Sequence, residues 1–324
     1  MSPSRHFDVF NGDADGLCAL HQLRLATPRT ATLVTGIKRD VSLLERVPAR
    51  AGDAVTALDI SLDTNRDALL RLLANCVRVE YFDHHFAGEL PAHPALRACI
   101  DTSPGTCTSL IVDRHLAGAQ RIWAIVAAFG DNLGPEAQRL ATALGLADDQ
   151  IDRLRELGES LNYNAYGDSE DDLFIRPAAL YAILHRHADP FAFLRDEPVV
   201  RRIGEGRRSD MAMARQLRPE HVLSSGSIYV LPDAPWSRRV RGVFGNELAA
   251  TAPERAHAVL GPDAQGGYTV SVRAPLAAPR GADILCREFP TGSGRNAAAG
   301  INHLPRDSLP EFIRAFGRSF GSPG

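Results

Sequence analysis

Short apolar runs alternate with amphipathic segments over residues 7 to 120 of this chain. Phe7 to Phe10, Ala31 to Thr35, Val55 to Leu58, Val77 to Phe82 and Ala98 to Ile100 are each bounded by Gly, Asp, Asn or Pro, and read as strands. Between them, Leu17 to Leu25 and Leu62 to Leu73 repeat leucine at three- and four-residue spacing, the mark of a helix with one apolar stripe. Strand and helix in alternation predict βαβ units. The expected fold class is therefore α/β, with a five-stranded, mainly parallel sheet carrying helices on both faces.

From residue 106 to about 190 the strand signal disappears. Ser109 to Ala117, Ile122 to Phe129, Pro135 to Leu144, Asp148 to Leu161 and Pro177 to Arg186 read as helices that extend the first domain. Val199 to Arg218 carries arginines at 201, 202, 207, 208, 215 and 218 and reads as a solvated interdomain helix, favoured over a nucleic-acid contact. After the loop-like Ser224-Ser225-Gly226-Ser227 come a strand, Ile228 to Leu231, and a helix from about Gly245 to Ala252. Ala256 to Leu260 and Tyr268 to Arg273 pair as a predicted hairpin, and helices at Ala282 to Phe289 and Leu309 to Phe316 follow. The pattern predicts a domain over 1–190, a linker over 191–224 and a smaller α/β domain over 225–324.

Composition changes this picture little. The 324 residues suit two domains, and 44% hydrophobic content, 23% charged content and a net charge of −3 describe an ordinary globular protein. Lys38 is the only lysine, so nearly all positive charge is arginine. Cys18, Cys76, Cys99, Cys107 and Cys286 are scattered without a Cys-x-x-Cys pair and read as reduced, packed thiols. No signal-peptide core and no membrane-length apolar run is present, so a cytoplasmic protein is expected.

Candidate chemistry collects at the ends of the predicted strands. The first strand runs into Asn11-Gly12-Asp13-Ala14-Asp15-Gly16, where two carboxylates on a tight loop either aim at one cation or cap the helix that follows. The third ends in Leu58-Asp59-Ile60-Ser61 and the fourth in Asp83-His84-His85. In an open parallel sheet, ligands bind at this carboxyl edge. A further aspartate lies in Phe129-Gly130-Asp131-Asn132, after an apolar helix. Asp13, Asp15, Asp59, His84 and Asp131 mix carboxylate with imidazole, a set that fits two manganese or magnesium ions about 3.5 to 4 Å apart better than a structural zinc.

The order Asp-x-Asp-Gly, Leu-Asp-x-Ser, Asp-His-His, Gly-Asp-Asn resembles the DHH phosphoesterase superfamily. Gly292-Ser293-Gly294-Arg295-Asn296-Ala297-Ala298-Ala299-Gly300 is similar to the glycine-rich signature of the DHH-associated C-terminal domain, and Val270-Ser271-Val272-Arg273 to that domain's Val-Ser-x-Arg strand. The resemblance spans nearly the whole chain. It implies a two-domain fold with an active site in the cleft, and relatives that include short-RNA hydrolases, cyclic-dinucleotide phosphodiesterases, nucleotide phosphatases and RecJ-type exonucleases.

The roles it implies are specific. Asp59 bridges two divalent cations, manganese preferred and magnesium second, with Asp13 on the first and Asp15, His84 and Asp131 on the second. A bridging water attacks phosphorus, and His85 contacts a phosphoryl oxygen or passes a proton to the leaving oxygen. Asp83 supports these groups without being a primary ligand. Arg273, Gly292, Gly294, Arg295 and Asn296 receive the substrate.

This chain departs from the family pattern twice. Where relatives carry a histidine four residues before the first aspartate, or an aspartate two before it, it has Val9 and Asn11, and Asn11 becomes a ligand or substrate contact. Arg295 replaces the signature histidine, and its forked cation suits a phosphate or a guanine edge.

Several residues keep two readings. Thr106 to Ser109 reads as a helix cap or a substrate motif, Lys38-Arg39 as substrate contact or solvated charge, and Phe86, Trp123 and Trp236 as stacking platforms or core. The expected function is a metal-dependent phosphodiesterase that hydrolyses very short RNA, dinucleotides above all, to 5′-mononucleotides. Cyclic-dinucleotide cleavage and nucleoside bisphosphate dephosphorylation are alternatives, and a catalytically silent nucleotide sensor is the alternative of another class. Neither a membrane nor long duplex DNA is an expected partner, and homodimerisation stays open.

Overall fold

The computed structural model describes residues 4–321. The chain divides into two compact units, residues 1–205 and 206–324.

In the first unit, β1 (His6–Phe10) leads into α1 (Ala14–Ala26), followed by β2 (Thr32–Val34) and β3 (Ala54–Leu58). Then come α2 (Arg66–Ala74), β4 (Arg78–Asp83) and β5 (Leu96–Ile100). The strands form one sheet in the order β2-β1-β3-β4-β5, and every pairing is parallel. Side chains alternate across it, as the period of two requires. Phe7, Val9, Val55, Ala57, Val79 and Tyr81 pack with Leu69, Leu72 and Leu73 of α2 on one face. On the other, Arg24 of α1 hydrogen-bonds Asp8 and Thr56, and His115 meets the ring of Phe82 edge-on.

The helical extension comprises α3 (Thr108–His115), α4 (Arg121–Gly130), α5 (Gly134–Ala143), α6 (Asp148–Asn164), α7 (Pro177–Leu184) and α8 (Pro190–Asp196). Its centre is α4, buried from Trp123 to Gly130 and packed against α1, α3, α5 and α6. Two glycines allow the approach of α6: a Cβ on Gly158 would lie 2.1 Å from Val126 O, and one on Gly130 2.7 Å from Gly158 O. That contact fixes the C-terminal end of α4, which carries Asp131. Residues 191–224, the expected linker, hold the rest of α8, then α9 (Pro198–Arg215) and β6 (His221–Leu223). The boundary between the units falls inside α9.

The second unit has a six-stranded mixed sheet in the order β10-β11-β9-β8-β7-β6. After β6 come β7 (Gly226–Val230), α10 (Pro235–Thr251), β8 (Ala256–Pro262) and β9 (Tyr268–Arg273). Next follow α11 (Ala282–Arg287), β10 (Gly292–Arg295), β11 (Ala298–Leu304) and α12 (Leu309–Phe320). Phe312 and Phe316 of α12 pack with Leu285, Phe289, Leu260, Val270, Val272 and Ile301 in this unit's core. Three strands, β6, β10 and β11, escape the apolar pattern because glycine, serine and alanine dominate or border them. The run from Ser224 contains the tight turn of the β6–β7 hairpin, and α10 begins ten residues before its predicted start because Pro235 sits in its first turn. Among the described residues no helix is long and apolar enough to cross a membrane.

Candidate metal centre

The three motif strands β1, β3 and β4 are consecutive neighbours in a parallel sheet, so their carboxyl ends bring three loops to one edge. After β1 the backbone folds back sharply: a Cβ on Gly16 would lie 2.1 Å from Asn11 O, which glycine alone avoids. Asp13 caps α1, its Oδ1 accepting from the backbone N–H of Asp15 at 3.0 Å and Gly16 at 3.1 Å. Asp15 in turn serves α3. Its Oδ2 accepts from Thr108 N and its Oδ1 from Ser109 N, each at 2.7 Å. Two donors at a helix start that have no partner within the helix, with the positive end of the helix dipole, hold this buried carboxylate in place.

Asp59 follows β3 in the left-handed region, φ 56°, a conformation aspartate tolerates better than most residues, and donates its backbone N–H to Phe82 O. Thr108 Oγ1 lies 3.4 Å from Asp59 Oδ1. Asp131 caps the C-terminus of α4. There Asn132 takes φ 61° and Leu133 N donates to Ala128 O at 2.8 Å, a Schellman closure that makes Gly-Asp-Asn a helix stop as well as a ligand carrier.

His84 is the hub. Its Nε2 lies 3.5 Å from Asp59 Oδ1, 3.9 Å from Asp131 Oδ2 and 4.0 Å from Asp15 Oδ2. Its Nδ1 lies 3.0 Å from Thr106 O, and a carbonyl only accepts, so the ring proton sits on Nδ1. The other ring nitrogen, Nε2, faces the three carboxylate oxygens. Carboxylate oxygens gathered this closely around an imidazole repel one another unless positive charge lies among them, and imidazole with carboxylates is a donor set for manganese or magnesium. Ligand atoms of Asp15, His84 and Asp131 all lie within 4.8 Å of one another, as do those of Asp59, His84 and His85. The residues present fit a divalent cation.

Electrostatics agree. Burial, then repulsion from Asp13, Asp15 and Asp131, pushes the Asp59 carboxyl well above the usual range. Burial and the Asp15 charge raise Asp131 to about 6, against the pull of Lys38. Burial works the same way on Asp13, but the Lys38 ammonium outweighs it and holds that carboxyl below its ordinary value. His85 Nδ1 lies 2.7 Å from Asp83 Oδ1. Desolvation opposes charge on His85, yet this hydrogen bond and the Asp83 charge raise its pKa overall. Asp83 itself is fully buried, and its Oδ2 has no hydrogen-bond partner.

The expected site residues thus divide. Asp13, Asp15, Asp59, His84, His85 and Asp131 converge. Asn11 is engaged with backbone: its Oδ1 accepts from Asp13 N and its Nδ2 donates to Lys38 O. Lys38 and Asn162 also enter the site. Lys38 Nζ lies 2.5 Å from Asp13 Oδ2 and 2.9 Å from Asn162 Oδ1. That Lys38 is the sole lysine was a usable signal; Asn162, a polar residue inside a long helix, gave none. Trp123 belongs to the core and donates to Ala188 O, Trp236 is half-buried, and Phe86 is 74% exposed beside His85.

In the second unit, Arg273 and Arg295 both pair in register with Ala298, on opposite sides of it. Arg273 reaches Asn246 Oδ1 at 2.6 Å, Ser271 Oγ at 2.9 Å and Gly242 O at 3.2 Å, while Arg295 and Asn296 are exposed. A Cβ on Gly292 would lie 1.6 Å from Cys286 O, and one on Gly294 2.4 Å from Ala299 Cα, so both glycines are required by packing within the unit.

An α/β unit with a parallel five-stranded sheet, an Asp-His-His edge and a second mixed-sheet unit define the DHH class of fold. Among solved structures the chain is similar to exonuclease RecJ bound to manganese, with TM-score 0.66 and 19% identity over 98% of this chain and 91% of that one. It is also similar to the DHH domain of a member of a family of ribosomal proteins, with TM-score 0.62 and 15% identity over 97% and 86%. RecJ from Thermus thermophilus in complex with Mn2+ gives 0.58 and 20% over 98% of this chain, which spans 52% of that one. No protein-family profile and no curated protein sequence matches the chain. The likeness lies in the fold, which is that of RecJ and the DHH domains.

Proposed function

We propose that this chain is a divalent-metal-dependent phosphodiesterase that hydrolyses very short RNA, principally dinucleotides, to 5′-mononucleotides. One observation carries the reading: Nε2 of His84 faces oxygens of Asp15, Asp59 and Asp131 at 3.5 to 4.0 Å. Asp15, Asp59, His84 and Asp131 would hold the cation, manganese or magnesium. When bound, such an ion supplies positive charge to a phosphoryl oxygen and acidifies water.

The chain's own residues do the rest. The caps described above pre-set Asp15 and Asp131, so the ligands need little reorganisation. His85, charged through Asp83, holds a proton on Nε2 for the leaving oxygen. Phe86 offers an exposed ring for a base, and Arg295 an exposed guanidinium for a phosphate or guanine. A net charge of −3 favours a short substrate over a long strand, whose binding rests on many phosphate contacts.

The test is a substrate panel with metal-free and manganese-loaded protein: GpG, ApA, longer RNA, cyclic dinucleotides and adenosine bisphosphate. Manganese-dependent release of 5′-mononucleotides from GpG and ApA is expected, abolished by Asp59→Ala. Nucleotide binding without turnover of any compound would instead make the chain a sensor.

A further inference from the structure

Lys38 occupies the side of the centre where Asp13 stands, and four observations describe it as a built part of the site. Its backbone is pinned from both directions, with N donating to Ala165 O at 3.0 Å and O accepting from Asn11 Nδ2 at 3.2 Å. Its ammonium touches Asp13 Oδ2 at 2.5 Å and Asn162 Oδ1 at 2.9 Å, and lies 3.8 Å from Asp131 Oδ1. Asn162 is oriented for this, because its Nδ2 donates to the Tyr166 hydroxyl at 3.1 Å and so turns Oδ1 toward the lysine. The Tyr166 ring lies 5.9 Å from Nζ, within cation–π range.

Asp13 differs from Asp15, whose oxygens accept only from backbone N–H groups, because one of its oxygens is already matched by a full positive charge. One oxygen caps α1 and the other receives the ammonium. Neither Val9 of β1 nor Asn11 just after it makes up the shortfall: Val9 is buried in the apolar core and both polar groups of Asn11 are engaged with backbone. An ion placed against Asp13 would meet the lysine's charge at contact distance, with too few ligands to offset the repulsion.

We propose that Lys38 is the centre's second cation, an ammonium in the place of a metal beside Asp13, so that the site takes one divalent ion, on Asp15, Asp59, His84 and Asp131. This rests on the reading that the cluster binds a divalent cation at all. It changes the expectation of two ions to one ion plus one fixed charge, delivered by the fold without any metal to acquire.

The experiment uses the full chain stripped with chelator and reloaded with manganese, read by elemental analysis of the gel-filtered protein and by electron paramagnetic resonance. The expected wild-type result is one manganese per chain with the six-line spectrum of an isolated ion. Lys38→Ala, which frees Asp13 Oδ2, is expected to take a second, weaker ion, seen as exchange broadening of that spectrum. Two manganese ions per wild-type chain with a coupled spectrum would overturn the inference and leave the metal reading standing. No bound manganese in the wild type would overturn both. The wild-type stoichiometry decides the matter even if the variant fails to fold.

Discussion

His85 holds its Nδ1 2.7 Å from Oδ1 of Asp83, a carboxylate without solvent exposure whose other oxygen has no partner. The hydrogen bond directs His85 Nε2 away from Asp83 and raises the pKa of the ring against its desolvation. A general acid with a raised pKa stays active until the pH climbs through that pKa. Asp83→Asn, which removes the charge but keeps the size, should lower turnover roughly 10- to 100-fold. It should also move the alkaline limb of the pH–rate profile to lower pH. An unchanged alkaline limb would remove His85 from the acid role.

Asp15 is structural as well as a proposed ligand. Asp15→Ala leaves the buried N–H groups of Thr108 and Ser109 without partners. Unfolding of the metal-free protein in urea should show a loss of roughly 2 to 4 kcal/mol. Asp59→Asn, which removes a repelled charge and keeps a residue type that tolerates the left-handed backbone, should show no such loss. Equal destabilisation by both would contradict the division of labour between them.

Asp131 titrates near 6 in the metal-free fold and near 3.8 unfolded, so between those values the folded chain binds the extra proton. The metal-free protein therefore loses stability as pH rises from about 4 to about 6, by roughly 1 to 3 kcal/mol. Asp131→Asn should flatten that slope, melt higher than the wild type above pH about 6, and lose most of the stabilisation manganese gives. Thermal melts with and without manganese at two pH values decide it.

The strand ends of the first unit were legible because period-two burial and bounding turn residues are local signals. Asp59 and His84 followed from that reading, since a parallel sheet gathers its carboxyl ends, whereas Asp131 came from the Gly-Asp-Asn run after an apolar helix. The pairing of Lys38 with Asp13 was not legible. Residues 25 positions apart are brought together by the β2–β1 register, and Asn162 arrives from a helix still further along the chain. Nor does sequence show that Asp15 spends both oxygens on α3, because a helix cap supplied from another element leaves no spacing to read. In the second unit, glycine and alanine gave β10 and β11 no apolar alternation, so the hairpin that the glycine signature forms was not legible.

His21 gives an acid-side prediction outside the centre. It is fully buried, its Nδ1 3.0 Å from His185 Nδ1 and its Nε2 3.0 Å from His187 O, and burial followed by the His185 charge lowers its pKa to about 3. Below the ordinary histidine value the unfolded chain takes up a proton that the folded chain refuses, so stability falls as pH drops from about 6.5 toward 3. His21→Gln should reduce that slope in urea midpoints measured across this range. An unaltered slope would place the acid sensitivity elsewhere.

Hydrolysis of GpG by the metal-stripped chain, before and after manganese is restored, with wild type beside Asp59→Asn, bears most directly on the proposed chemistry. Manganese should switch on release of 5′-GMP in the wild type, and Asp59→Asn should lower the rate by at least about a thousandfold, some 4 kcal/mol of transition-state stabilisation. Turnover that persists without metal, or that Asp59→Asn leaves intact, would contradict a metal-dependent centre at the carboxyl edge of this sheet.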